Sequence, residues 1–246
     1  MLAPHKPDSQ SGSSAPMIDP MSGALSLVFE TSTPLASLAL AGPSGILAQQ
    51  KFSSDRNHNA MLFAPLSELM KGENRQNIGL VLVGSGPGSY SGTRVGIAAA
   101  QGVAITLGCP AVAMPSILAV PSADGGAPCL AIGDARRGSY WWAHLEHSNL
   151  VSEPALCEAT ELLDLVAAAV ADGHTVFSFE TADRFSLPET LADKVVLEVP
   201  DAGRLWKTWL AVDPETRLAW AAQIPQPVYL KPPHITPSKR APLLRP

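Results

Sequence analysis

Three short segments hold the residues whose types and spacing could do chemistry. The first is GSGPGSYSGTRVG, Gly84 to Gly96, set between two strongly apolar runs. Glycines there permit positive φ and close approach of backbone to a ligand, and the start of a following helix offers unpaired N–H groups to an anion. Gly86, Gly88 and Ser89 are the residues such a site would use. There is no lysine in a GxxxxGK[ST] frame and no GxGxxG, so neither common phosphate motif applies. A tight strand-to-helix turn that lets the two elements pack closely accounts for the same glycines. The second segment is Glu30-Thr31-Ser32-Thr33. A carboxylate followed by hydroxyls can face phosphates and their Mg²⁺, with Glu30 and Thr31 as contacts; a local hydroxyl turn carrying a surface glutamate is the alternative. The third, Asp134-Ala135-Arg136-Arg137-Gly138 followed by Tyr140, Trp141 and Trp142, sets cations beside aromatics. That pairing can hold a flat ligand, but aromatics opening a strand also pack cores.

Other chemistries find no footing. His5, His58, His144, His147, His174 and His234 form no HxxxH or HExxH array, and His144 and His147, three apart on an expected strand, point to opposite faces. Cys109, Cys129 and Cys157 are not spaced as CxxC or as a zinc cluster, which suits a reducing compartment and small buried side chains. There is no GxSxG elbow. A metal site is not expected, and neither is a cofactor. The formal net charge of -5 argues against a broad electropositive footprint, so this chain alone should bind nucleic acid weakly and a partner would supply the basic surface.

These residues need elements to position them. With 246 residues and 46% hydrophobic content, the chain can build two cored lobes. Residues 1–24, rich in Pro, Ser and Gly, are expected to be a disordered extension, neither signal peptide nor spanning helix, and the protein is expected to be cytoplasmic with no membrane association. Leu25–Phe29, Ala36–Ala41 and Ile46–Phe52 read as an antiparallel meander. Asp55 or Asn57 then caps a helix carrying Met61, Leu62, Leu66, Leu69 and Met70, ended by Gly72 and interrupted by Pro65. Ile78–Val83 reads as a strand buried on both faces. The helix Thr93–Leu107 has one charge, Arg94, and is apolar nearly all round, so most of its faces should be buried. Ala111–Met114 completes the order βββαβαβ. Strands at Pro128–Ile132, Ser139–Leu145 and Thr175–Phe179, with a helix capped by Thr160 and running through Ala171, suggest that the pattern starts over. Helices Ala202–Leu210 and Pro214–Gln223 and an extended Pro-rich tail follow.

Taken together, these segments resemble the TsaB (YeaZ) family. LSLVFETSTPLASLAL, Leu25 to Leu40, resembles its opening strand-turn-strand, and Arg56–Leu69 its first helix, with His58, Pro65 and Leu66 in the matching places. Ile78–Leu118 matches most closely, Asp134–Tyr140 resembles its DARxGxxY turn, and Pro227–Lys231 its PxYLR ending. The resemblance implies an α/β fold of two duplicated actin-like or sugar-kinase-like, ribonuclease H-like lobes. These would be 25–120, bearing the partner-binding helices, and 121–225, with the tail at 226–246. It implies a non-catalytic paralogue of TsaD, the subunit that transfers the threonylcarbamoyl group to N6 of adenosine 37 in tRNA and holds a metal through HxxxH. The corresponding stretch here, Ala113-Met114-Pro115-Ser116-Ile117-Leu118-Ala119, has no histidine. The family packs its first two helices against those of TsaD and the pair recruits the ATPase TsaE; tRNA is met only through the complex, and for the chain alone both a homodimer and a monomer stay open. Carried onto this sequence, the partner surface is His58, Met61, Leu62, Leu66, Arg94, Ile97, Ala98, Gln101, Gly102 and Ile105. Glu30 departs from the family, which usually has Asp there, and the extra methylene sets the carboxylate about 1.5 Å further out. An active kinase or ATPase of the same fold, and a peptidase, are the competing classes.

Overall fold

The computed structural model describes residues 24–53 and 58–230, with residues 58–60 described by backbone alone. Residues 1–23, the caps expected at Asp55 or Asn57, the His58 side chain and the tail beyond 230 lie outside the described residues.

The first sheet comprises β1 (Leu25–Glu30), β2 (Leu35–Gly42), β3 (Gly45–Ser53), β4 (Ile78–Gly84) and β5 (Ala111–Met114), in the order β3-β2-β1-β4-β5. The first three strands form an antiparallel meander, and β4 and β5 add on in parallel. Between β3 and β4 lies α1 (His58–Leu69), and α2 (Tyr90–Leu107) connects β4 to β5. Because strand side chains alternate, the consecutive apolar residues Leu27–Phe29 of β1 and Leu80–Val83 of β4 must be covered on both faces. Leu27, Phe29, Val81 and Val83 meet Leu62 and Leu69 of α1 and Ile97, Ala100 and Ala104 of α2. Val28, Leu80 and Leu82 point the other way.

The second sheet repeats the plan. After a short α3 (Pro121–Asp124) come β6 (Cys129–Asp134), β7 (Ser139–Glu146), β8 (Asn149–Leu150), β9 (Ala155–Glu158), α4 (Ala159–Ala171), β10 (Thr175–Ser178), α5 (Glu189–Ala192) and β11 (Val195–Leu197). Its order, β11-β10-β6-β7-β8, has the same parallel and antiparallel pairings as the first. The place of a full third strand is shared by β8 and β9, which pair with opposite ends of β7. Two sheets of identical order, each with a helix over one face, are the duplicated actin-like α/β architecture expected from the sequence.

The chain then returns to the first sheet. Helix α6 (Ala202–Ala211), capped by the Asp201 carboxylate, lays Ala202, Leu205, Trp206 and Trp209 over Val28, Leu80, Leu82 and Val112. Helix α7 (Pro214–Ala221) follows it. A division at residue 120 therefore separates the sheets but not the helices that cover them. Ion pairs from Arg204 to Asp124 and from Lys207 to Asp124 (3.1 Å) tie α6 to α3.

Two local expectations need correction. Helix α2 begins at Tyr90, not Thr93, because the Ser89 hydroxyl accepts from the Gly92 N–H (3.2 Å) and caps it earlier. Helix α4 starts at Ala159 with Glu158 at its N-cap, so Thr160 is inside the helix and caps nothing. Pro65 sits within α1, which continues through it to Leu69. No described helix is long and apolar enough to cross a membrane.

Candidate functional site

The glycines of the Gly84–Gly96 segment that recur every fourth residue all press on the turn after β1. A side-chain carbon at Gly84 would overlap the Glu30 carboxylate and the Ser116 hydroxyl. At Gly88 it would overlap the Ser32 carbonyl, at Gly92 the Thr31 carbonyl, and at Gly96 the Thr31 hydroxyl. Hydrogen bonds fasten the same surfaces together: Ser89 N–H to the Ser32 carbonyl (2.6 Å) and the Thr31 hydroxyl to the Gly92 carbonyl (2.8 Å). Three further N–H groups of the segment are also engaged. Ser85 donates to the Met114 carbonyl (2.7 Å). Gly86 donates to the Ser116 hydroxyl (3.0 Å), and Gly92 to the Ser89 hydroxyl. Of the two explanations the sequence left open for this loop, the geometry favours close packing of strand, turn and helix.

Glu30 is not the surface glutamate of a local turn. It is 0% exposed, with Oε1 accepting from the Ser32 N–H (2.8 Å) and Oε2 beside the Ser116 hydroxyl without a donor in hydrogen-bonding geometry. Burial pushes its pKa up from the ordinary 4.5, the Ser32 bonds oppose that shift, and the nearby Asp201 carboxylate adds to it. The folded chain therefore holds this proton at pH values where the unfolded chain has released it. Its contribution to stability is complete below about pH 4.5 and is lost as pH rises toward the folded pKa. Glu30→Gln, which keeps the shape and cannot ionise, should match the parent below about pH 4.5 and exceed it as pH rises from there toward the folded pKa, read as thermal midpoints across a pH series.

The counterpart turn in the second lobe is also self-satisfied. Asp134 accepts from the Arg136 N–H (2.7 Å) and pairs with the Arg136 guanidinium (2.8 Å), and Arg136 and Arg137 take positive φ. Tyr140 packs on Phe185 and Trp141 lies against Gly133, so these aromatics build core rather than a ligand platform. Among the described residues the cations over rings are elsewhere: Arg94 over Tyr90 (4.0 Å) and Tyr229, and Arg217 over Trp209. Between the lobes lies a cavity of about 260 Å³ lined by Pro87, Pro115, Leu118, Trp220 and Val228, with Glu153 but no Lys or Arg in its wall. It offers no cation to a phosphate.

The outer side of α2 is the other feature. The expected burial of most of its faces is not what the structure shows. Gly92, Thr93, Gly96, Ile97, Ala100 and Ala104 face the core, while Ser91, Arg94, Ala98, Gly102, Ile105 and Thr106 are exposed. Ile105 is 81% exposed, and Gly102 has open space where a side chain would project. Met61 and Phe63 of α1 are exposed and Leu66 is half-buried. Two residues assigned to the partner surface are not on it: Leu62 (1% exposed) and Ile97 (4%) point into the first core, because each lies on the helix face turned to the sheet. Gln101 is half-buried and donates to the Pro225 carbonyl (3.2 Å), and Arg94 donates to the Tyr229 hydroxyl (2.8 and 2.9 Å). These long-range clasps escaped the sequence reading; a Tyr–Arg pair at 90 and 94, one helical turn apart, was the available signal.

The family model for TsaD, tRNA N6-adenosine threonylcarbamoyltransferase, matches residues 45–210, more than half of the chain. The tRNA threonylcarbamoyladenosine biosynthesis protein TsaB of Escherichia coli (strain K12) is 27% identical over 129 residues, 50% of this chain and 55% of that one. The TsaB of Bacillus subtilis (strain 168) is 26% identical over 141 residues, 56% of this chain and 62% of that one. The chain belongs to the TsaD family, in its TsaB (YeaZ) branch. It spans little more than half the length of these curated relatives. The solved structure of YeaZ from Pseudomonas aeruginosa, 21% identical, superposes with a TM-score of 0.62 over 84% of this chain and 100% of that one, a likeness of fold.

For this TsaB-family chain the metal site of the transferase can be tested on the residues that stand in its place. Met114, Ile117, Leu118 and Ala119 are buried apolar side chains, and the Ser116 hydroxyl is occupied by the Gly86 N–H. A hydroxyl among alkyl groups cannot replace a pair of imidazoles, so the donor set does not fit a transition metal. Among the described residues no group of three or more His, Cys, Asp or Glu side chains stands close enough to hold an ion.

Proposed function

We propose that this chain is a non-catalytic subunit that docks on a TsaD transferase and supports threonylcarbamoyl transfer to N6 of adenosine 37 in tRNAs reading codons that begin with A. The observation that carries the reading is the contrast between the two sides of α2. Its inner side closes on Glu30–Ser32, beside a loop whose Ser85, Gly86 and Ser89 N–H groups are engaged, whereas its outer side leaves Ala98, Gly102 and Ile105 uncovered. Contiguous exposed apolar surface of this kind marks an interaction site. Arg94 and Gln101 mark one margin of it. The names of the relatives supply the pathway, and the absent imidazoles in Ala113–Ala119 argue that the transfer itself belongs to the partner. TsaE is recruited by the pair, tRNA meets this acidic chain only through the complex, and the uncovered face supports a homodimer when TsaD is absent.

Reconstitution tests the reading. TsaD, TsaE, the enzyme that makes the threonylcarbamoyl adenylate, ATP and unmodified tRNA are combined with and without this chain, and adenosine 37 is assayed by mass spectrometry of digested tRNA. Modification should fall to background when the chain is omitted, and this chain without TsaD should modify nothing. Equal modification without it, or modification by it alone, removes the proposal.

A further inference from the structure

The segment between α7 and the end of the described residues runs as an extended strap along α2. Pro225 is held at Gln101 and Tyr229 at Arg94, so the strap is antiparallel to the helix. The spans agree: from Gln101 back to Arg94 is about 10 Å of helix, and from Pro225 to Tyr229 about 13 Å of extended chain. Between these clasps Val228 N–H donates to the Ser85 carbonyl (2.9 Å), and beyond them Leu230 packs against the core of the second lobe. The Arg94 guanidinium also stacks on Tyr90, so the clasp has a charge-assisted bond and a ring contact.

The side of α2 that the strap occupies follows from helix geometry. At about 100° per residue, Ser91, Ala98 and Ile105 form the centre of the exposed stripe, and Arg94 and Gln101 lie about 40–60° to one side. Val95, Ala99 and Val103 lie on the other side and pack, with Leu66, against the first core. The stripe is therefore a floor, small-sided except at Ile105, between two walls: α1 on the side of Val95, Ala99 and Val103, and the strap, presenting Ile224. Ile224 is 79% exposed, close to the 81% of Ile105, and the Gln101–Pro225 bond places it at the Ile105 end of the stripe.

We infer that the C-terminal strap is the second wall of the docking trough and that Ile224 contacts the partner directly; the inference rests on the proposed docking role. The occupant is an uncharged apolar helix of the TsaD partner. The floor and the strap wall, Ser91, Ala98, Gly102, Ile105 and Ile224, carry no charge, and the one cation at the margin, Arg94, is already held by two tyrosines. The alanine and glycine of the floor let a second helix approach closely, and the exposed Ile105 on the floor and Ile224 on the strap give it apolar side chains to pack on.

The test is titration calorimetry of the purified chain into its cognate TsaD, with Ile224→Asp and Ile105→Asp compared with the parent and thermal midpoints recorded for each. Ile224→Asp should weaken binding about tenfold or more at an unchanged midpoint, and Ile105→Asp should weaken it further. Full affinity of Ile224→Asp together with loss in Ile105→Asp overturns the strap as a wall while leaving the docking face in place. Full affinity of both overturns the docking face as well. If Ile224→Asp disrupts only self-association, measured by sedimentation, the occupant is a second copy of this chain and the assignment to a TsaD helix fails.

Discussion

Gly84→Ala will lower the thermal midpoint by about 10 °C, corresponding to a loss of about 3 kcal/mol, a large effect for one methyl group. The methyl must enter space held by the Glu30 carboxylate and the Ser116 hydroxyl, and both residues are fully buried. Neither can swing away: Glu30 is tied to the Ser32 N–H and Ser116 to the Gly86 N–H. Overpacking against groups fixed at the ends of two strands and in the loops beside them is relieved only by moving backbone. Glu30→Ala in the same chain supplies the room. The double substitution should recover part of the loss, with a coupling above about 1 kcal/mol in a double-mutant cycle followed by denaturant melts. Strict additivity would mean that the two groups do not share the space.

Gly102→Glu should reduce affinity for TsaD more than about 100-fold while leaving the isolated chain at least as stable as the parent. Gly102 is exposed in the body of α2 with nothing near its missing side chain, and replacing glycine inside a helix gains up to about 1 kcal/mol of helical propensity. In the proposed trough the same carboxylate would be trapped against an apolar helix without a counter-charge. Ala99, a small residue on the same helix three positions earlier, is unsuitable as a probe because it packs against the first core. Binding by calorimetry and melting by circular dichroism separate the two effects; normal binding by Gly102→Glu would move the interface off α2.

The elements that could be read from the sequence were those whose burial is written locally. Ile78–Val83 is apolar at every position but Gly79 because both faces of β4 are covered, and Gly108 ends α2 in the left-handed conformation that glycine favours. Strands β8 and β11 and helices α3 and α5 are two to four residues long, too short for a period to emerge. The start of α2 was hidden because Tyr90, Ser91 and Gly92 are poor helix formers, held in the helix by the Ser89 cap and by contact of Gly92 with Thr31. For the site, the glycines and Glu30 were visible but not their relation. Only folding brings Ser116 and Gly84 to the same carboxylate, and only folding brings Tyr229 to Arg94. The four-residue recurrence of Gly84, Gly88, Gly92 and Gly96 was the one sign of a surface pressed along its length.

The return of α6 to the first sheet has a consequence for how the chain is made. Val28, Ala39, Leu80, Leu82 and Val112 are covered by Leu205, Trp206 and Trp209. A ribosome must synthesise the whole second sheet before those side chains emerge. Until then the nascent first lobe carries one finished face and one bare apolar face, in the crowded setting where unpaired sheet surfaces aggregate or are taken up by chaperones. Pairings of such long sequence separation also form slowly. The last described helices thus decide when the first lobe becomes a folded body.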